Sequence, residues 1–170
     1  MATPTYTPLA TVTLAVSSSA VYFTEISQDY SDLVLVMEYS AVDAGIGCFM
    51  YLNGDSGANY NRVTMANDIY GGATSGTNTN SNGANLIQVS TSTGGMKTQY
   101  SLQFSDYSAT DKHKTWLLRG NERDAQYTTA NAGRWASTSA ITSISISTAT
   151  SGNYAAGSTF KLFGIHGEAV

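Results

Sequence analysis

Charge is scarce in this chain. Only 12% of its 170 residues are Asp, Glu, Lys or Arg, about half the usual share of a globular protein, so the polar surface has to be built from hydroxyls and amides. Ser and Thr supply about a quarter of the residues. The eight basic residues are scattered, the net charge is -4 and the isoelectric point is near 4.9. That excludes the clustered Lys and Arg needed to displace counterions from phosphates, and nucleic acid is not an expected partner. The densest basic run, Lys112-His113-Lys114, reads as a solvated turn before a strand.

Cysteine occurs once, as Cys48, which excludes an intrachain disulfide. Its setting, Gly47-Cys48-Phe49-Met50-Tyr51-Leu52, marks it as a small buried hydrophobe in a strand. Stability must then come from packing, and a chain of this length removes about two thirds of its unfolded surface from water as one domain. No apolar run approaches the roughly 18 residues of a membrane helix, and no basic start leads into a short apolar stretch. Neither a membrane span nor a signal peptide is expected.

Histidine occurs twice, and each copy is isolated. His113 lies between two lysines, and His166 lies in Gly164-Ile165-His166-Gly167. Neither meets a G-x-S-x-G turn or another nucleophile signature, so no catalytic residue is expected. The two histidines and one cysteine are too far apart in sequence to suggest zinc. The run Asn53-Gly54-Asp55-Ser56-Gly57-Ala58-Asn59 puts oxygens at alternate positions as a calcium loop does. It has one carboxylate and no closing Glu, so it reads as a turn held by Asx hydrogen bonds. No metal or cofactor is expected. Glu25 with Asp29, and Asp106 with Asp111, are formal carboxylate pairs for glycoside hydrolysis, but all four sit at strand ends and turns, where acids serve as solvated caps. Eleven tyrosines with Trp116 and Trp135 supply rings for a core, for an oligomer interface or for sugar stacking.

What is abundant is period-two alternation filled with β-branched and aromatic residues, the pattern of half-buried strands. It predicts an all-β fold of about nine strands: Leu9 to Val16, Ala20 to Ile26, Leu33 to Val42, Gly47 to Leu52, Leu86 to Ser90, Gln99 to Phe104, Lys114 to Arg119, Ile141 to Ser147 and Thr159 to Ile165. In the third, Leu33, Leu35, Met37 and Tyr39 share one face and Val34, Val36 and Glu38 the other. Both faces begin apolar, so that strand belongs inside a sheet. Asn59 to Met65 reads as one helical turn capped by Asp55 or Ser56. The Gly, Ser, Thr and Asn rich stretch from Asp68 to Gly95 reads as a long polar surface loop, interrupted only at Leu86. Residues 1–8 form an extended N-terminal arm, because Pro4 and Pro8 oppose strand pairing, and residues 9–170 form a single two-layer β-sandwich. Alternation alone does not choose between a jelly roll and another Greek key.

Five segments in this order carry a resemblance: Val21 to Leu33, Asn53 to Tyr60, Phe104-Ser105-Asp106-Tyr107, Gly133 to Ile144, and Tyr154 to Ile165. Together they resemble tailed-phage virion structural proteins with jelly-roll-like domains, over nearly the whole chain. The resemblance implies a virion part, either a capsid decoration (cement) protein or the tip of a tail or head fibre, and it carries no catalytic residues. Because the sandwich runs from near Leu9 to near Ile165, little is left to anchor a fibre. The expectation is therefore a homotrimeric cement subunit on the capsid exterior, with the major capsid protein and its own copies as partners. The alternative is a receptor- or glycan-binding domain of a fibre, favoured by the aromatics and the polar stretch.

Overall fold

In the computed structural model, which describes residues 5–42, 46–67, 73–90, 97–122, 127–148 and 152–167, the chain forms twelve strands. They are β1 (Tyr6–Thr13), β2 (Ala20–Phe23), β3 (Asp32–Tyr39), β4 (Ile46–Leu52), β5 (Tyr60–Asn67), β6 (Ala73–Ser81), β7 (Ala84–Ser90), β8 (Thr98–Ser105), β9 (Lys114–Glu122), β10 (Tyr127–Trp135), β11 (Ile144–Thr148) and β12 (Thr159–Ile165). Every ladder is antiparallel. Among the described residues there is no helix.

The pairing is nested. β1 pairs with β12, β2 with β11, β3 with β8 and β4 with β7, as if one long hairpin had been rolled up. β12 also pairs with β3, and β11 with β4. The result is β1-β12-β3-β8 in one layer and β2-β11-β4-β7 in the other, which is the strand order of a jelly roll. Two further pairs, β9 with β10 and β5 with β6, continue the first layer beyond β8 into an eight-stranded sheet.

β3 shows why these residues take this form. Leu33, Leu35, Met37 and Tyr39 are enclosed in the core, and β3 lies between β12 and β8, as two apolar faces require. Facing them across the sandwich are Val21, Phe23, Cys48, Met50, Leu52, Ile144 and Ile146. Each such side chain contributes roughly 1.5–3 kcal/mol on leaving water. At one end Tyr39, Tyr154 and Phe160 interlock, with Tyr154 edge-on to Tyr39 at 5.1 Å and to Phe160 at 5.3 Å.

Three strands exceed the sequence expectation: β5, β6 and β10. Of the helical turn expected over Asn59 to Met65, all but Asn59 is instead part of β5, because β10 and β6 take up its backbone groups on both sides. The stretch expected as a polar loop contains β6 and a longer β7, while 68–72 and 91–95 lie outside the described residues. Of the expected arm, 1–4 lie outside the described residues, and Tyr6, Thr7 and Pro8 belong to β1. Pro8 is accommodated because β1 is an edge strand and its ladder is irregular between Pro8 and Ala10.

Candidate functional site

The Asn53 to Asn59 run is a turn in which the Asp55 carboxylate and the Asn53 amide oxygen already accept from protein donors. Asp55 Oδ1 accepts from the Gly57 N–H at 2.8 Å, while Oδ2 accepts from Asn59 Nδ2 at 2.8 Å and from Trp135 Nε1 at 2.6 Å. Burial alone would raise the Asp55 carboxyl, but these hydrogen bonds outweigh it and hold the group below its ordinary value. Asn53 sits at φ 53°. Its Oδ1 accepts from the N–H groups of Thr142 and Ser143, and its Nδ2 donates to the Ala140 carbonyl. The run thus ties the β4–β5 turn to the segment after β10, and among the described residues no cluster of three His, Cys, Asp or Glu side chains exists.

The other chemistry-bearing residues are dispersed. His113 is exposed, and His166 packs against the Tyr30 ring at 4.6 Å. Glu25, Asp29, Asp106 and Asp111 are exposed. Asp29 accepts from Ser27 Oγ, and Asp106 is ion-paired with Lys112 at 2.9 Å. Lys112 and His113 form the solvated turn expected of them, whereas Lys114 opens β9 as a buried residue, its Nζ donating to the carbonyls of Lys112 and Thr138. Burial pulls that ammonium below its ordinary value. Cys48 is fully buried, with burial pushing its thiol up to about 12 and the Tyr154 hydroxyl donating to its sulfur at 3.4 Å.

What the fold gathers is a surface. On the eight-stranded sheet the alternation that buries Trp116, Leu118, Leu102 and Tyr100 turns Leu117, Val63 and Met65 outward. These three are exposed by 53%, 52% and 64%. Register places Thr77, Val63, Ala132, Leu117 and Gln103 in one row across β6, β5, β10, β9 and β8. The adjacent row holds Met65, Ala130, Arg119, Ser101, Val36 and Lys161. Arg134, opposite Asn61 and Thr115, bounds the patch on its other side. Among the described residues the ion pairs are Lys97 with Glu38 and Lys112 with Asp106. Arg119, Arg134 and Lys161, all exposed, therefore stand on this face outside the ion pairs of the described residues, with Lys161 near enough to Glu38 to help Lys97 hold its carboxyl below the ordinary value.

Val63, Thr77, Thr79, Ala132 and Arg134 line an open groove of about 390 Å³ at the irregular start of the β5–β6 ladder. Behind it Asn131 fixes the added strands to the other layer. Its Oδ1 accepts from Trp116 Nε1 at 3.0 Å, and its Nδ2 donates to Thr64 Oγ1 and to the Leu86 carbonyl of β7. Sequence reasoning had not singled out Val63, Met65, Leu117, Arg119 or Arg134. The signal was the alternation Arg62-Val63-Thr64-Met65-Ala66, which a helical reading of that segment obscured.

No family model matches this chain, and no curated protein sequence matches it.

Proposed function

We propose that the protein is a phage capsid decoration subunit that docks on the outside of the shell through the outer face of its eight-stranded sheet, in homotrimers that bridge neighbouring capsomers. The observation that carries this reading is the patch of Val63, Met65 and Leu117 bordered by Arg119, Arg134 and Lys161. Exposed aliphatic side chains in adjoining rows of a sheet fit a protein neighbour, and bordering cations fix its orientation against carboxylates. The ordered resemblance of five segments to phage virion proteins supports the same reading. The work is mechanical: a ligand that binds only the assembled shell stabilises that state by mass action.

The test is cosedimentation of the purified protein with capsids stripped of it, followed by heating of the decorated particles. Decoration should saturate at a stoichiometric number of copies and raise the temperature at which the shell opens. Leu117→Asp together with Val63→Asp should abolish both effects. Wild-type protein that fails to cosediment, or antibody labelling confined to the tail, would reject the reading.

A further inference from the structure

The four-stranded sheet shows the outside a face of a different chemistry. Along β2, β4 and β11 the inward residues fill the core, so Tyr22, Phe49, Tyr51, Ser145 and Ser147 point away from it. In register, Tyr22 lies opposite Ser145, and Ser145 opposite Tyr51. Two tyrosines thus flank a serine across two inter-strand steps, a separation of about 9.5 Å. The next row is Ala20, Ser147 and Phe49.

Two contacts fix the Tyr51 ring. Phe49 stacks beside it at 6.3 Å and 23°. Beneath it lies Gly83, at φ +98°, where a Cβ would come within 2.5 Å of a ring carbon. Tyr51 therefore lies flat against backbone with no room for a side chain below it, and needs no reordering to present its free side. Tyr22 is 67% exposed. None of these outward residues is charged, in contrast to the opposite face with its three cations.

We propose that this face is a binding platform for a neutral, β-1,4-linked glycan. A tyrosine ring offers a flat apolar face, which the C–H face of a pyranose covers, with a hydroxyl at its edge. Serine hydroxyls between the rings donate to and accept from sugar hydroxyls. In an extended β-1,4-linked chain successive sugars are turned over, so every second sugar shows the same face. The two-strand spacing of Tyr22 and Tyr51 matches that repeat and leaves Ser145 beneath the sugar between them. An anionic polysaccharide would need cations, and Tyr22, Phe49, Tyr51, Ser145 and Ser147 supply none. The platform and the capsid-docking patch lie on opposite outer faces of the sandwich, so both can be occupied at once.

Affinity electrophoresis of the full chain tests this, using gels that contain hydroxyethylcellulose or galactomannan as neutral β-1,4-linked polymers and alginate as an anionic one. At least one neutral polymer should retard the protein and alginate should not. Tyr22→Ala and Tyr51→Ala should each weaken retardation roughly tenfold, equivalent to about 1.4 kcal/mol, and Tyr22→Phe should retain it. Tyr22→Ala should melt with the wild type, since its ring is outside the core. The double Leu117→Asp, Val63→Asp variant should still be retarded, which separates this site from capsid docking. The proposal is overturned if neither neutral polymer retards the wild type, if Tyr22→Ala is retarded equally, or if alginate retards it as strongly.

Discussion

Trp135 at the end of β10 donates its indole N–H to Asp55 in the β4–β5 turn across 2.6 Å, joining two segments 80 residues apart in the chain. The same indole lies at 16° to the Tyr60 ring, whose hydroxyl donates to the Asp55 carbonyl. Removing the carboxylate strands several donors at once. Asp55→Ala should destabilise the fold by about 3 kcal/mol and Asp55→Asn by about half that, because an amide still accepts one bond. The shift in the urea midpoint measures both.

The pH dependence of that site has a definite sign. The Asp55 carboxyl is lower in the folded protein than its ordinary 3.8, so folding favours the ionised form. Its stabilisation is complete above the unfolded value and is lost as pH falls through 3.8 toward the folded one. The stability gap between wild type and Asp55→Asn should be widest near neutral pH and close as the solution is acidified. Urea titrations at several pH values measure it. Calcium at about 1 mM, the weak end of protein calcium sites, should leave the melting temperature unchanged, since both Asp55 oxygens already accept from the protein.

Asn131 is 1% exposed and holds β9, β5 and β7 together through its side-chain amide. Asn131→Ala leaves the Trp116 N–H and the Leu86 carbonyl without it, at a cost of about 3 kcal/mol. The loss should be uneven. Amide exchange should accelerate most in β5 and β6, the strands farthest from the jelly-roll core, and least in β3 and β12.

Gly133 has no room for a side chain, because a Cβ there would sit 2.0 Å from the buried Trp116 ring. Gly133→Ala should cost about 3 kcal/mol by displacing that ring. Gly76 in β6 has nothing within 4 Å of the same position, so Gly76→Ala should change stability by less than about 0.5 kcal/mol. Thermal denaturation of the pair separates a steric requirement from a general intolerance of β-strands to substitution.

Cys48 reacts only as a thiolate, and its thiol is fully buried with its titration pushed up to about 12. Iodoacetamide should leave the native protein unmodified at neutral pH, and modification should follow the unfolding transition in urea. Mass spectrometry of samples quenched along the transition measures it.

The layers were legible where packing writes itself into the sequence. Leu33, Leu35, Met37 and Tyr39 alternate because one face of β3 meets the other sheet, and Cys48 lies buried in the apolar strand expected of it. β5, β6 and β10 were not legible. Ala73–Ser81 has hardly an apolar residue, and Tyr127–Trp135 carries Ala, Asn, Thr and Gly where core strands carry Leu or Val. Such segments become strands because neighbouring strands complete their backbone hydrogen bonds, β5 for β6 and both β9 and the remote β5 for β10, and no local apolar pattern records that. The jelly-roll order was hidden for the same reason, since alternation reports which way a side chain faces and not which strand lies beside it. At the candidate surfaces, Tyr22 and Tyr51 were visible only as members of a tyrosine-rich composition, and register alone made them neighbours of one serine.

The nested pairing also sets an order of events in the cell. β1 has a single neighbour, β12, so Thr7 must wait for Gly164 before its ladder can close. Translation delivers Gly164 long after Thr7, and contacts so remote in sequence form slowly. Until β12 emerges, β3 also lacks one of its two neighbours and exposes an apolar edge on the ribosome. The added β9–β10 pair, local in sequence, can form while that edge is still open.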